Sequence, residues 1–199
     1  GSLVVVRWPD SSPDVTSRAV RVGAWNDSAF DSAGPDGSPW LTRCDDRVTA
    51  AFATAAELGF GWSSGRRSGR PQPFCRFAIL DASTLKVLAE PDLWSAAGAW
   101  AYPATAVSRT GTVGLAAYFT GPTQPALAVG VLGGAGESRA WSMTTAATST
   151  HPPALGAWGD YLTVRAHPTR RSSLVAAGCV LDGGSDRRFV EPRVVVFGR

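Results

Sequence analysis

Lysine and methionine are almost absent from this sequence: Lys86 and Met143 stand alone among 199 residues. The positive charge is carried by arginine instead, yet 19 basic residues exceed 16 acidic ones by only three, spread along the chain. So small and scattered a surplus does not predict nucleic-acid or membrane-surface binding. The longest uncharged stretch, Thr110 to Gly136, is broken by Gly111, Gly114, Gly121, Pro122 and Pro125, which excludes a spanning helix and membrane insertion by one. Histidine is scarce too. His151 and His167 are 16 residues apart, each beside a proline and without a carboxylate at ligand spacing, so no metal centre is expected. The acidic stretch Asp27 to Asp36 lacks the calcium-loop pattern. The run Gly130 to Gly136 is followed by no helix and is no phosphate cradle, so no cofactor is expected. Three cysteines, Cys44, Cys75 and Cys179, cannot all pair internally and show no CxxC spacing. One Cys44–Cys75 disulfide would fit an exported chain, while small buried thiols are common in cores.

What the sequence does contain is apolar residues, 44% of the total, in short runs punctuated by 22 glycines and 14 prolines. That is enough to bury a core and excludes disorder as the main state. The runs repeat. Cys44-Asp-Asp-Arg-Val-Thr49, Trp100-Ala-Tyr-Pro-Ala-Thr105 and Trp158-Gly-Asp-Tyr-Leu-Thr163 align on a threonine. Second runs follow at Leu58 to Trp62, Val113 to Phe119 and Leu174 to Leu181, and third runs at Phe74 to Leu80, Ala126 to Leu132 and Val194 to Phe197. Fourth runs close the first two units at Leu85 to Leu88 and Trp141 to Thr145. Runs of this length, rich in Val, Phe, Trp, Tyr and Thr, predict short antiparallel strands. The alanine-rich Thr49 to Leu58 alone would suit a helix, but Gly59, Gly61 and its place in the repeat predict strand, turn, strand.

An all-β chain with about 57 residues and four strands per repeat predicts β-propeller blades, with a β-sandwich as the alternative. Leu3 to Arg7 and Val20 to Trp25 read as the third and fourth strands of a leading blade. The expected boundaries are 1–25 for that pair, then blades at 26–94 and 95–147 and an incomplete one at 148–199. Both chain ends thus offer a third strand, which does not complete a ring. The expectation is three to four blades from the C-terminal part of a longer propeller, with uncovered blade faces closed by a homo-oligomer or an N-terminal half. Gly1-Ser2 reads as the scar of a tag, so any export signal is expected upstream.

Trp-Gly-Asp-Tyr at 158–161, Tyr102-Pro103 followed by Val107-Ser-Arg-Thr-Gly-Thr-Val-Gly-Leu115, and Glu191-Pro-Arg-Val-Val-Val-Phe-Gly-Arg199 carry a family likeness. Over most of residues 42–199 the chain resembles the C-terminal half of bacterial secreted propellers of the sialidase-like, BNR-repeat group. The resemblance implies a six- or seven-bladed ring and a secreted or extracytoplasmic setting. It departs at the Asp-box, which is absent: the corresponding turns read Leu80-Asp-Ala-Ser-Thr-Leu-Lys86 and Gly133-Gly-Ala-Gly-Glu-Ser-Arg-Ala-Trp141. The likeness therefore concerns the scaffold more than the sialidase chemistry.

In such a fold, the loops entering the first strand of each blade form one rim, here 26–45, 95–101 and 148–159. Equivalent repeat positions place Asp46, Tyr102 and Asp160 at one level, with Arg47, Pro103 and Tyr161 one residue on. Trp100 and Trp158 are candidate stacking platforms. This set predicts non-catalytic binding of a glycan or protein ligand, although the same residues could simply satisfy the repeat. If the chain is a hydrolase, the resemblance implies Tyr161 as nucleophile with Glu191, Arg193 and Asp160 around it. The loop Ser63 to Arg70, basic and glycine-rich, is expected to be solvated and mobile.

Overall fold

A computed structural model describes residues 1–159, 161–182 and 189–198. Among them are 13 strands and no α-helix, only a short 3-10 turn at Gly136–Ser138. A two-stranded first sheet holds β1 (Ser2–Arg7) and β2 (Thr16–Arg21). The second sheet runs β3 (Val48–Ala53), β4 (Glu57–Ser64), β5 (Phe74–Asp81), β6 (Val87–Ala89). The third runs β7 (Ala99–Val107), β8 (Val113–Thr120), β9 (Ala126–Gly133), β10 (Ala140–Thr148). The fourth holds β11 (Thr163–Ala166), β12 (Ser173–Val180) and β13 (Glu191–Gly198). Every pairing is antiparallel between chain neighbours, so each sheet is an up-and-down meander.

The expected grouping of two, four, four and three strands is present, and the three aligned threonines fall in β3, β7 and β11. Thr54–Ala56 is the turn that splits the alanine-rich segment into β3 and β4. The largest displacement is that of the second strand, which lies at Thr16–Arg21 rather than at 20–25, and β6 is also shifted, at Val87–Ala89 rather than 85–88. Register accounts for the second strand: Leu3 opposite Val20 puts Leu3, Val5 and Val20 on one face, with Val4 and Val6 on the other. Residues beyond Val22 leave the sheet, and Trp25 sets its ring edge-on to Trp62, centroids 5.4 Å apart.

Strand alternation gives each middle sheet two apolar faces, and the sheets stack in chain order. Val5, Val20 and Val22 meet Trp62, Ala78 and Leu80 between the first and second. Phe77, Ile79 and Ala50 meet Leu115, Ala117 and Val113 between the second and third. Tyr118, Leu127 and Ala116 meet Leu174, Ala176 and Val180 between the third and fourth. Each wholly buried leucine here contributes about 2 kcal/mol. The spacing is tight. A Cβ on Gly59 would lie 2.0 Å from the Phe52 ring, so only glycine lets that ring cross β4. The first strands β3, β7 and β11 lie side by side, and Thr49 Oγ1 donates to the Pro103 carbonyl at 2.9 Å, tying β3 to β7.

The loop before β3 crosses the ends of these strands. Trp40 and Leu41 are buried in the core between the third and fourth sheets. The Thr42 amide and hydroxyl both donate to the Gly156 carbonyl, at 3.1 and 2.8 Å. The basic loop after β4 is exposed at residues 66–69, as expected of a solvated loop, and its arginines are engaged. Arg66 pairs with Asp31 at 2.7 Å, Arg67 donates to the Ala24 carbonyl, and Arg70 lies over the Trp94 ring at 4.3 Å.

Candidate functional site

The ends of β3 and β7, the segment entering β11 and the end of β4 surround a cleft of about 170 Å³. Its walls include Arg43, Asp45, Arg47, Thr49, Ser63, Tyr102, Pro103, Gly159, Tyr161 and Leu162. Three residues singled out by repeat position, Arg47, Tyr102 and Tyr161, therefore meet here. Asp160 lies outside the described residues.

Both tyrosines have left-handed backbone, with φ +56° at Tyr102 and +67° at Tyr161. Non-glycine residues held there cost about 1–3 kcal/mol each, and surrounding structure must impose them. At Tyr102 the cause is visible. The β7–β8 register shifts between Ala101 and Ala104, and the Tyr102 amide leaves the ladder to donate to Ser63 Oγ at 3.0 Å. The ring then lies against Gly159, where a Cβ would stand 2.1 Å from Cδ2 and where φ is +104°. Tyr161 is different, because 96% of it faces solvent. Its bent backbone presents an aromatic ring outward at the mouth of the cleft.

The charges are unevenly matched. Asp45 accepts from Arg47 Nε at 2.7 Å and Nη2 at 2.6 Å, and this arginine holds the Asp45 carboxyl below its ordinary range. Arg43 is exposed and has no ion-pair partner among the described residues. Behind the wall, burial pushes the Cys44 thiol up to about 11, against the opposing pull of hydrogen bonds from Ser63 and Tyr102. Burial also raises Cys75 well above the thiol range. All three cysteines are free, so Cys44 and Cys75 are not joined.

The remaining sequence candidates have structural surroundings. Asp46 accepts from Trp25 Nε1 at 2.8 Å. Trp100 is half-buried against Phe119, centroids 4.7 Å apart, and its amide donates to the Pro73 carbonyl. Trp158 is 7% exposed and meets the Tyr118 ring edge-on at 5.2 Å. Burial raises the Tyr118 hydroxyl, which accepts from the Cys179 amide at 3.0 Å. Neither tryptophan borders the cleft. Glu191 and Arg193 pair with each other at 2.6 Å, and Arg193 also reaches Asp182 at 3.2 Å. They sit on β13, two strand spacings or about 10 Å from the β11 line.

Ser63 and Gly159 are not candidates from sequence, whereas Arg43 falls in the long charged loop 26–45 that the sequence places on the rim. Arg43 precedes the aligned core of the repeat, and Ser63 ends a second strand, which repeat logic places away from the rim. The unlike spacing of Tyr102 and Tyr161 from their threonines was a usable signal of irregular backbone. No family model, curated protein or solved structure matches the chain.

Proposed function

We propose that the chain is a non-catalytic binding module built on a sialidase-like β-propeller scaffold, exported from a bacterial cell. Its ligand is a glycan presenting a carboxylate at the rim. The observation that carries this reading is the meeting, at one cleft, of an exposed arginine with no ion-pair partner among the described residues, Arg43, and an almost fully exposed tyrosine, Tyr161. A guanidinium binds a carboxylate by parallel hydrogen bonds, and a bare ring takes the C–H face of a sugar. A space of about 170 Å³ is below the usual range of about 300–1,000 Å³ for a drug-sized ligand, so it suits one end group.

The propeller reading is supported by face-to-face stacking in chain order with the first strands side by side. The fan's two outer faces are apolar: Val4 and Val6 on one, Val194 and Val196 on the other, 48–72% exposed. The chain exposes 10071 Å², against about 8,900 Å² for a compact monomer of this mass. We propose that a second copy or further blades cover these faces. Light scattering showing only a stable 20.8 kDa monomer, unchanged by added N-terminal blades, would refute that.

The hydrolase alternative has less support, since Glu191 and Arg193 are engaged with each other. A glycan array and a fluorogenic glycoside panel on one sample test both. Binding of acidic glycans, weakened tenfold or more by Arg43→Ala and by Tyr161→Ala without turnover, is expected. Turnover abolished by Tyr161→Phe would overturn the proposal, as would silence of every acidic glycan.

A further inference from the structure

A second concavity lies at the opposite end of the strands. The cleft above uses the beginnings of β3, β7 and β11. This groove lies where β3 turns into β4, β7 into β8 and β9 into β10, between the second and third sheets. It holds about 600 Å³, inside the range of small-molecule sites. Its two ionisable described walls, Glu57 and Arg139, are paired at 2.7 Å across 82 residues of chain, with 17% and 21% of their side chains exposed. The pair carries no net charge, so the groove exerts little pull on ions. It still offers a carboxylate acceptor and guanidinium N–H donors side by side.

Thr54 and Thr112 line the same groove. Thr54 Oγ1 accepts from the Ala56 and Glu57 amides, which leaves its hydroxyl hydrogen to be donated. Half-buried Leu132 supplies an apolar wall above the buried Val113. A vicinal diol matches this arrangement, one hydroxyl donating to Glu57 and its neighbour accepting from Arg139, while the ring C–H groups cover Leu132. We infer that this groove is a second binding site, for a neutral oligosaccharide.

The inference does not rest on the acidic-glycan reading of the cleft, and one titration series separates them. The full 199-residue chain is titrated by calorimetry with cellohexaose, maltohexaose, xylohexaose and chitohexaose. At least one is expected to bind. Glu57→Gln, which keeps the side chain's shape, and Ala56→Trp, which fills the groove from an exposed position, should each weaken it tenfold or more. Tyr161→Ala should leave it unchanged. Circular dichroism and melting establish that each variant is folded; should Ala56→Trp unfold, Glu57→Gln alone decides. The inference is overturned if none of the four sugars binds the native chain, if Glu57→Gln binds as well as native, or if Tyr161→Ala removes the binding.

Discussion

Replacing Arg76 by methionine should expose how the first hairpin is held to the rest of the fan. Arg76 is on β5 opposite Trp62, with 7% of its side chain exposed, and donates to Glu90 at 2.7 Å and Asp92 at 2.8 Å. Glu90 also accepts from the Gly23 amide at 2.7 Å, just beyond β2, and Asp92 is shared with Arg70 at 3.3 Å. Methionine keeps the stem but strands two carboxylates, one of them 10% exposed. Breaking a buried pair on one side costs about 3–5 kcal/mol. The lower end applies, because Arg70 still reaches Asp92 and Glu90 is 29% exposed. A loss of about 3 kcal/mol lowers Tm by roughly 10 °C for a chain of this size.

The pH dependence has a definite sign. Burial already raises the Asp92 carboxyl above its ordinary range, although Arg76 and Arg70 pull it down. The folded protein therefore binds that proton more readily than the unfolded chain, and stability from this group falls as pH rises through the window above the unfolded value of about 3.9. Without Arg76 the carboxyl rises further, so the variant's deficit should be largest at neutral pH and shrink towards pH 4.5. Urea unfolding followed by tryptophan fluorescence at pH 7 and 4.5 measures both. A loss under about 1 kcal/mol at pH 7, or an equal loss at both pH values, would refute this account.

Gly159→Ala places a methyl 2.1 Å from the Tyr102 ring at a φ of +104°. It should cost at least about 1–3 kcal/mol of backbone strain and displace the ring, read by thermal melting and tyrosine fluorescence. Leu174→Ala, at a wholly buried position between the third and fourth sheets, should cost about 2–5 kcal/mol in denaturant unfolding. Because Cys44 is pushed up to about 11 and Cys75 also lies above the thiol range, both should alkylate far more slowly than free cysteine at pH 8. Denaturant should abolish the protection, and mass spectrometry of iodoacetamide-treated peptides checks it.

By itself the sequence determined the strand count, their grouping and the antiparallel meander. Those features follow from period-two alternation, glycine and proline breaks, and a threonine recurring in β3, β7 and β11, all of which act locally. Repeat position also brought Arg47, Pro103 and Tyr161 together, with Tyr102 one residue before Pro103, since equivalent residues of stacked sheets occupy one level. Tertiary structure decided the rest. The second strand took its place from register against Leu3 and Val5, a long-range choice that its own residues do not encode. Trp100 and Trp158 resemble stacking platforms in the sequence, but the gaps between sheets claimed both, because a large ring gains more by filling a packed interface than by facing water. The Glu57–Arg139 pair joins turns 82 residues apart. No spacing rule links them; the stacking of the second sheet on the third does.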